Sequence, residues 1–146
     1  MDLLQRARTL AACPLFAELA PAVVIRLAER ARSRDLEPGE RVTTEDDTVW
    51  VVADGSLVVA SRSAVPSDAT TSNMRRHGGR AVAGSALGLV RVIAPATPPV
   101  EAVAERPTSV LALGVDDVRD VLEEDPAALA ALAGALASVL LEAGSA

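Results

Sequence analysis

The chain has 146 residues, half of them hydrophobic, with 14 Arg, no Lys and 20 acidic residues, for a net charge of −6. That length is enough for one domain with a proper core, and that apolar fraction excludes a disordered chain. The acidic balance argues against a nucleic-acid-binding surface as the main business, so no nucleic-acid partner is expected.

Cys13 is the single cysteine. No intramolecular disulfide frames the fold, a reducing compartment fits, and the residue reads as a small buried hydrophobe. Asp2, Arg6 and Arg8 interrupt the N-terminus, which lacks the apolar stretch of a signal peptide. No run of about 18 uncharged apolar residues marks a membrane span. The longest candidate, 126–141, is short and Ala-rich. A soluble, cytoplasmic chain is the expectation.

In chain order, residues 2–12 read as a short helix, with Leu3, Leu4, Ala7, Leu10 and Ala11 on one face. Cys13-Pro14 ends it. Leu15, Phe16 and Leu19 make an apolar knot. Pro21 stands at a helix's first position, and Val23, Val24, Leu27, Ala28 and Ala31 give the next helix its stripe. Residues 33–36 and 41–44 read as strands joined by Pro38-Gly39, which has the residue order of a type II turn. Glu45, Asp46 and Asp47 form an acidic loop. It lacks the alternating ligands and glycine of an EF-hand, so it is expected to hold no metal.

The central stretch is 48–60, TVWVVADGSLVVA. Thr48, Val49, Trp50, Val51 and Val52 suit a strand, Asp54-Gly55 suits a tight turn, and Leu57, Val58 and Val59 suit a return strand. The reading is a β-hairpin. Both faces of both strands are apolar, so the hairpin is expected to be buried on two sides, in a sandwich or closed roll.

Residues 62–79 are polar and loop-like, closing on Arg75, Arg76, His77, Gly78, Gly79 and Arg80. Backbone amides beside these Arg residues suit an anion, but a surface loop is the plainer reading. Residues 80–93 read as strand, bend and strand, with Gly84 and Gly88 at the bend. Residues 94–99 hold three prolines and read as a turn. Two more strands follow at 100–104 and 108–113. Asp116 is placed as a helix cap with Val118, Val121 and Leu122 facing inward, and Asp125-Pro126 as a second cap.

The last helix carries Leu129, Leu132, Leu136, Val139 and Leu140, and its other face is made of small residues. A helix apolar all round is normally buried. Ala130, Gly134 and Ser138 would let a second helix approach closely, and a symmetric copy is the simplest partner. Leu129, Leu132, Gly134, Leu136, Val139 and Leu140 are therefore the candidate interaction residues.

This order of elements resembles the cyclic-nucleotide-binding domain family, in the manner of the CAP effector domain. CPLFAELAPAVVIRLAERAR is similar to that family's leading helices. LEPGERV is similar to its first strand turn, and DTVWVVADGSLVV to its central hairpin. SVLALGVDDVRDVLEEDPAALAALAGAL is similar to its last strand and closing helices. The resemblance implies a mainly β fold, an eight-stranded β-roll of jelly-roll type. It would run over 33–114, with N-terminal helices over 1–32 and a C-terminal helix pair over 115–143.

Binding members of the family carry a Gly-Glu pair that opens a short helix, and an Arg about ten residues later, because a buried cyclic phosphate needs helix N-terminal amides and a guanidinium. Here the equivalent stretch is read as Gly84, Ser85, Ala86 and Leu87, with Ser85 in the place of the Glu. The Arg position is read near Ala96-Thr97 in a shortened cassette, while Arg91 is placed on a strand. The resemblance therefore implies a degenerate member that binds no cyclic nucleotide tightly and acts by protein association, either with itself or with another protein. A sensor with an altered anion pocket, using Ser85, Arg91 or the loop over 75–80, is the alternative. An enzyme is not expected: His77 is the single histidine, and no nucleophile–base set or metal-ligand cluster is apparent. No cofactor is expected.

Overall fold

The computed structural model of the protein describes residues 1–59 and 79–144. Helix α1 (Leu3–Ala12) opens on a capping box. Asp2 Oδ1 accepts from the Gln5 N–H at 2.8 Å, and Gln5 Oε1 accepts from the Asp2 N–H at 3.0 Å. A single 3₁₀ turn, Pro14–Phe16, buries Leu15 and Phe16. Helix α2 (Pro21–Arg30) begins on its proline, as expected.

Eight strands follow: β1 (Arg32–Leu36), β2 (Arg41–Thr43), β3 (Thr48–Asp54), β4 (Ser56–Val59), β5 (Arg80–Val82), β6 (Ala86–Leu87), β7 (Glu101–Ala104) and β8 (Thr108–Gly114). They form two antiparallel four-stranded sheets, ordered β1-β8-β3-β6 and β2-β7-β4-β5. The eight-stranded roll is thus present. The Pro38-Gly39 turn is as read: Gly39 has φ +92°, and the Glu40 N–H donates to Glu37 O at 3.0 Å.

The central stretch is not a hairpin. β3 pairs with β8 and β6, whereas β4 pairs with β5 and β7 in the other sheet. Asp54-Gly55 is the corner where the chain crosses between sheets, after a β-bulge between Val52 and Asp54. Gly55 has φ +94°, and a Cβ there would lie 2.5 Å from Thr108 Oγ1. Local propensity signals a reversal; the pairing partner is chosen by β8, whose register with β3 is a long-range matter.

Burial on two sides holds for β3 alone. Val49 and Val51 face one apolar cluster, shared with α1, α2 and the C-terminal helices. Trp50 and Val52 face another, inside the roll, with Leu36, Leu57, Leu87 and Val110. β4 has only one covered face, since Val58 is 40% exposed. Cys13 is fully buried, as read.

The chain closes with α3 (Val115–Glu123) and α4 (Pro126–Gly144). Asp125 caps α4 through its Oδ1, which accepts from the Ala127 N–H at 3.1 Å. Asp116 is not a cap: α3 starts at Val115 after Gly114, and Asp116 is an exposed residue of the first turn. No described helix is long and apolar enough to cross a membrane. The anion-loop reading on Arg75, Arg76 and His77 lies outside the described residues.

One polar cluster pins the second sheet to the β7–β8 connection. The Ser56 hydroxyl donates to Glu105 Oε1, and Arg80 Nε donates to both Glu105 oxygens at 2.9 Å. The Ser56 hydrogen bond first, and then Arg80, hold the Glu105 carboxyl below its ordinary value of 4.5.

Trp50 is 8% exposed, and its Nε1–H donates to Thr43 O at 2.9 Å. Trp50→Ala is expected to destabilise the fold by about 3–5 kcal/mol, read as a shifted urea midpoint. A near-unchanged midpoint would remove Trp50 from the core. For Glu105, the folded-state pKa is depressed, so its stabilisation is complete above pH 4.5 and is lost as pH falls through the lower folded value. Glu105→Gln should therefore lower the melting temperature near pH 7, and the gap to the parent protein should close as pH falls below 4.5.

Candidate functional site

Gly84 and Ser85 form the bend between β5 and β6. Gly84 has φ +92°, and its N–H donates to Val52 O at 3.0 Å. Ser85 is fully buried. Its hydroxyl oxygen accepts from the Val82 N–H at 3.2 Å, and its carbonyl accepts from the Val52 N–H at 2.9 Å. Ser85 therefore closes a backbone turn. Ala86 and Leu87 continue as β6, opposite Val51 and Trp50; Ala86 faces the helices and Leu87 the roll interior.

The short helix opens four residues later than read. Gly88, with φ +84°, caps a 3₁₀ helix over Leu89–Val92. The stretch taken as a second strand, around Arg91-Val92-Ile93, is thus helical turn and helix end. Its signal was misleading because Val92 and Ile93 favour strands by type, whereas packing decides here. Leu89 is fully buried, and Val90 and Val92 are nearly so, all within the helix-side cluster. Gly88 also has no room for a side chain: a Cβ would lie 2.6 Å from Thr44 Cγ2. Thr44, itself fully buried, accepts at Oγ1 from the Val100 N–H at 2.8 Å. Its place against Gly88 is not visible in the local sequence.

Arg91 is not on a strand. Its Nη1 donates to Thr97 O at 2.8 Å and its Nη2 to Asp47 Oδ1 at 3.1 Å. The side chain is 12% exposed, and the buried Nε has no hydrogen-bond partner among the described residues. Arg119, from α3, donates from Nε at 3.3 Å and Nη2 at 3.2 Å to Val92 O, the carbonyl that ends the short helix. Beyond it, Pro98 and Pro99 are exposed and carry no N–H.

The candidate interaction residues on α4 divide. Leu132 and Leu136 are fully buried in the protein's own helix-side cluster, and Leu129 is packed against it. These three are core or core-edge residues and do not form an outward apolar face. Gly134 is at the surface, and a Cβ built on it would meet nothing within 4 Å. Val139 and Leu140 lie on the helix, with side chains outside the described set. Ala130, Gly134 and Ser138 border a groove of about 470 Å³, closed on its other side by Leu15, Ala17 and Glu18.

The arrangement is similar to solved cyclic-nucleotide-binding domains. One neighbour is a protein from Geobacter metallireducens GS-15 described as a candidate cyclic-nucleotide-binding protein; it superposes with a TM-score of 0.69 at 18% identity, over 92% of this chain and 95% of that one. A second is the N-terminal domain of a transcriptional regulator from Streptomyces coelicolor A3(2), at a TM-score of 0.65 and 20% identity, over 94% and 93%. A third is a cyclic-nucleotide-binding-like protein from Brucella abortus, at a TM-score of 0.56 and 22% identity, over 80% and 97%. No protein-family model matches the sequence, and no curated protein does. The fold is that of a cyclic-nucleotide-binding domain.

Proposed function

We propose that the chain is a non-catalytic regulatory or scaffolding module that has the cyclic-nucleotide-binding fold, has lost the phosphate site and works by protein association. The observation that carries this reading is the register of the short helix. In the resemblance, a Gly-Glu pair opens that helix, and here the opening pair is Gly88-Leu89. The place of the Glu is then held by a fully buried leucine turned into the helix-side cluster. Ten residues on, the place of the Arg is held by Pro99. The spacing supports a cassette of full length without its two charged residues, in place of the shortened one centred on Gly84 and Ser85.

The chemistry follows from that register. A cyclic phosphate brought into this site would lose its hydration and gain no guanidinium. Leaving a buried charge without its partner costs about 3–5 kcal/mol. Leu89 cannot accept from a ribose hydroxyl, and Pro99 cannot donate at all. The association arm of the reading rests on α4, whose outward residues around Gly134 are small enough for a second helix to approach closely. The partner it favours is a second copy of this chain.

Calorimetric titration with cyclic AMP and cyclic GMP at millimolar ligand is expected to give no saturable heat. Binding at about 10 μM or tighter, near −7 kcal/mol, would overturn the reading and make the module an anion sensor with another phosphate partner. Gly134→Leu is expected to lower the molar mass in solution towards that of a monomer. Its melting temperature should hold, because the new side chain enters open space and leucine is the better helix former. An oligomer of unchanged mass would rule out this face of α4 as the contact.

A further inference from the structure

Two guanidinium groups act on the C-terminal half of the short helix Leu89–Val92. At its own third position, Arg91 reaches the Pro-rich loop through Thr97 O at 2.8 Å and the acidic turn through Asp47 Oδ1 at 3.1 Å. At its C-terminal end, Arg119 places two donors on Val92 O, 3.3 and 3.2 Å away. A free carbonyl at a helix end is an orphan acceptor, and a cation there is favourable on both counts.

Both grips lead to α3. Arg119 belongs to it, one turn in. Asp47 touches its first residue directly, since the Val115 N–H donates to Asp47 O at 2.8 Å. Asp47 is held for this in the left-handed region, at φ +53°, the single non-glycine residue there among those described. One residue therefore binds Arg91 with its carboxylate and the start of α3 with its carbonyl. Beside these contacts, Leu89, Val90 and Val92 share an apolar cluster with Val118, Val121 and Leu122 of α3.

We propose that Arg91 and Arg119 form a two-point clamp that fixes the short helix to α3, so that these segments open and close as one unit with no bound ligand to hold them. The ligand independence in this inference rests on the lost phosphate site. The placement of Arg91 has a cost, an unsatisfied buried Nε, and that cost is offset by two charge-assisted bonds to separate segments.

Amide hydrogen exchange on the whole chain tests the clamp. Arg91→Met keeps the apolar stem and removes both bonds. Exchange is expected to become roughly tenfold faster over 89–99 and, to a similar extent, over 115–123. Faster exchange confined to 89–99, or no change in either segment, would overturn the proposal. Arg119→Met supplies the reciprocal arm, and must loosen 89–92 as well as α3; loosening of α3 alone would also overturn it. Asp47→Asn keeps a residue type that tolerates positive φ and removes only the charge. It is expected to give a smaller acceleration over the same two segments, even if Arg91→Met fails to fold, and no acceleration would count against the clamp. Wild-type exchange with and without 1 mM cyclic AMP separates the two readings. Protection of 88–99 by the nucleotide would overturn the lost phosphate site and the claim of ligand independence, while the substitutions still decide the clamp.

Discussion

Strand β3 has to be covered on both faces at once, and most of the architecture follows from that need. Val49 and Val51 point to the helices, while Trp50 and Val52 point into the roll. Each fully buried side chain of this kind contributes about 1.5–3 kcal/mol over leaving it in water. One seven-residue strand therefore joins two apolar clusters. The helices at the two ends of the chain meet over the outer face of β3 and β8. The second sheet closes the inner face, and its own outer side stays open to solvent with Val58 and the Arg41–Glu101 pair.

The same geometry determines what stands at the candidate ligand site. Because β6 is held against β3 opposite Trp50 and Val51, the chain after Leu87 must turn away sharply, and Gly88 makes that turn against Thr44. The short helix is then pressed onto the helix-side cluster by its apolar residues. Its one charged side chain reaches back to the acidic turn and the Pro-rich loop. The short helix is thereby committed to internal packing and internal ion pairing.

Helix α4 shows how composition misleads when a helix is Ala-rich. Its uniform apolarity reads as burial all round. The structure instead buries Leu132 and Leu136 and leaves Ala130, Gly134 and Ser138 outside. An alanine or glycine at the surface costs little and carries no polar marker, so the pattern of small and large residues, more than that of polar and apolar ones, distinguishes the two sides.

What the sequence by itself determined was the order of the elements and the kind of most of them, the Leu89–Val92 helix excepted. Capping residues, Pro-Gly turn chemistry, helical stripes and the doubly apolar β3 are local signals, and each was legible within a few residues. The fold class followed from their order. Tertiary structure decided the rest. It sent β3 and β4 to different sheets, since pairing depends on β8, more than fifty residues away. It also chose between two glycines four residues apart, making Gly84 a bend closed by Ser85 and Gly88 the start of the short helix. Finally, it brought Arg91 to Asp47 and Arg119 to Val92, contacts 44 and 27 residues apart in the chain. Such contacts leave no local trace, because a guanidinium on a long flexible stem is the same letter whether it meets water or a carboxylate across the fold.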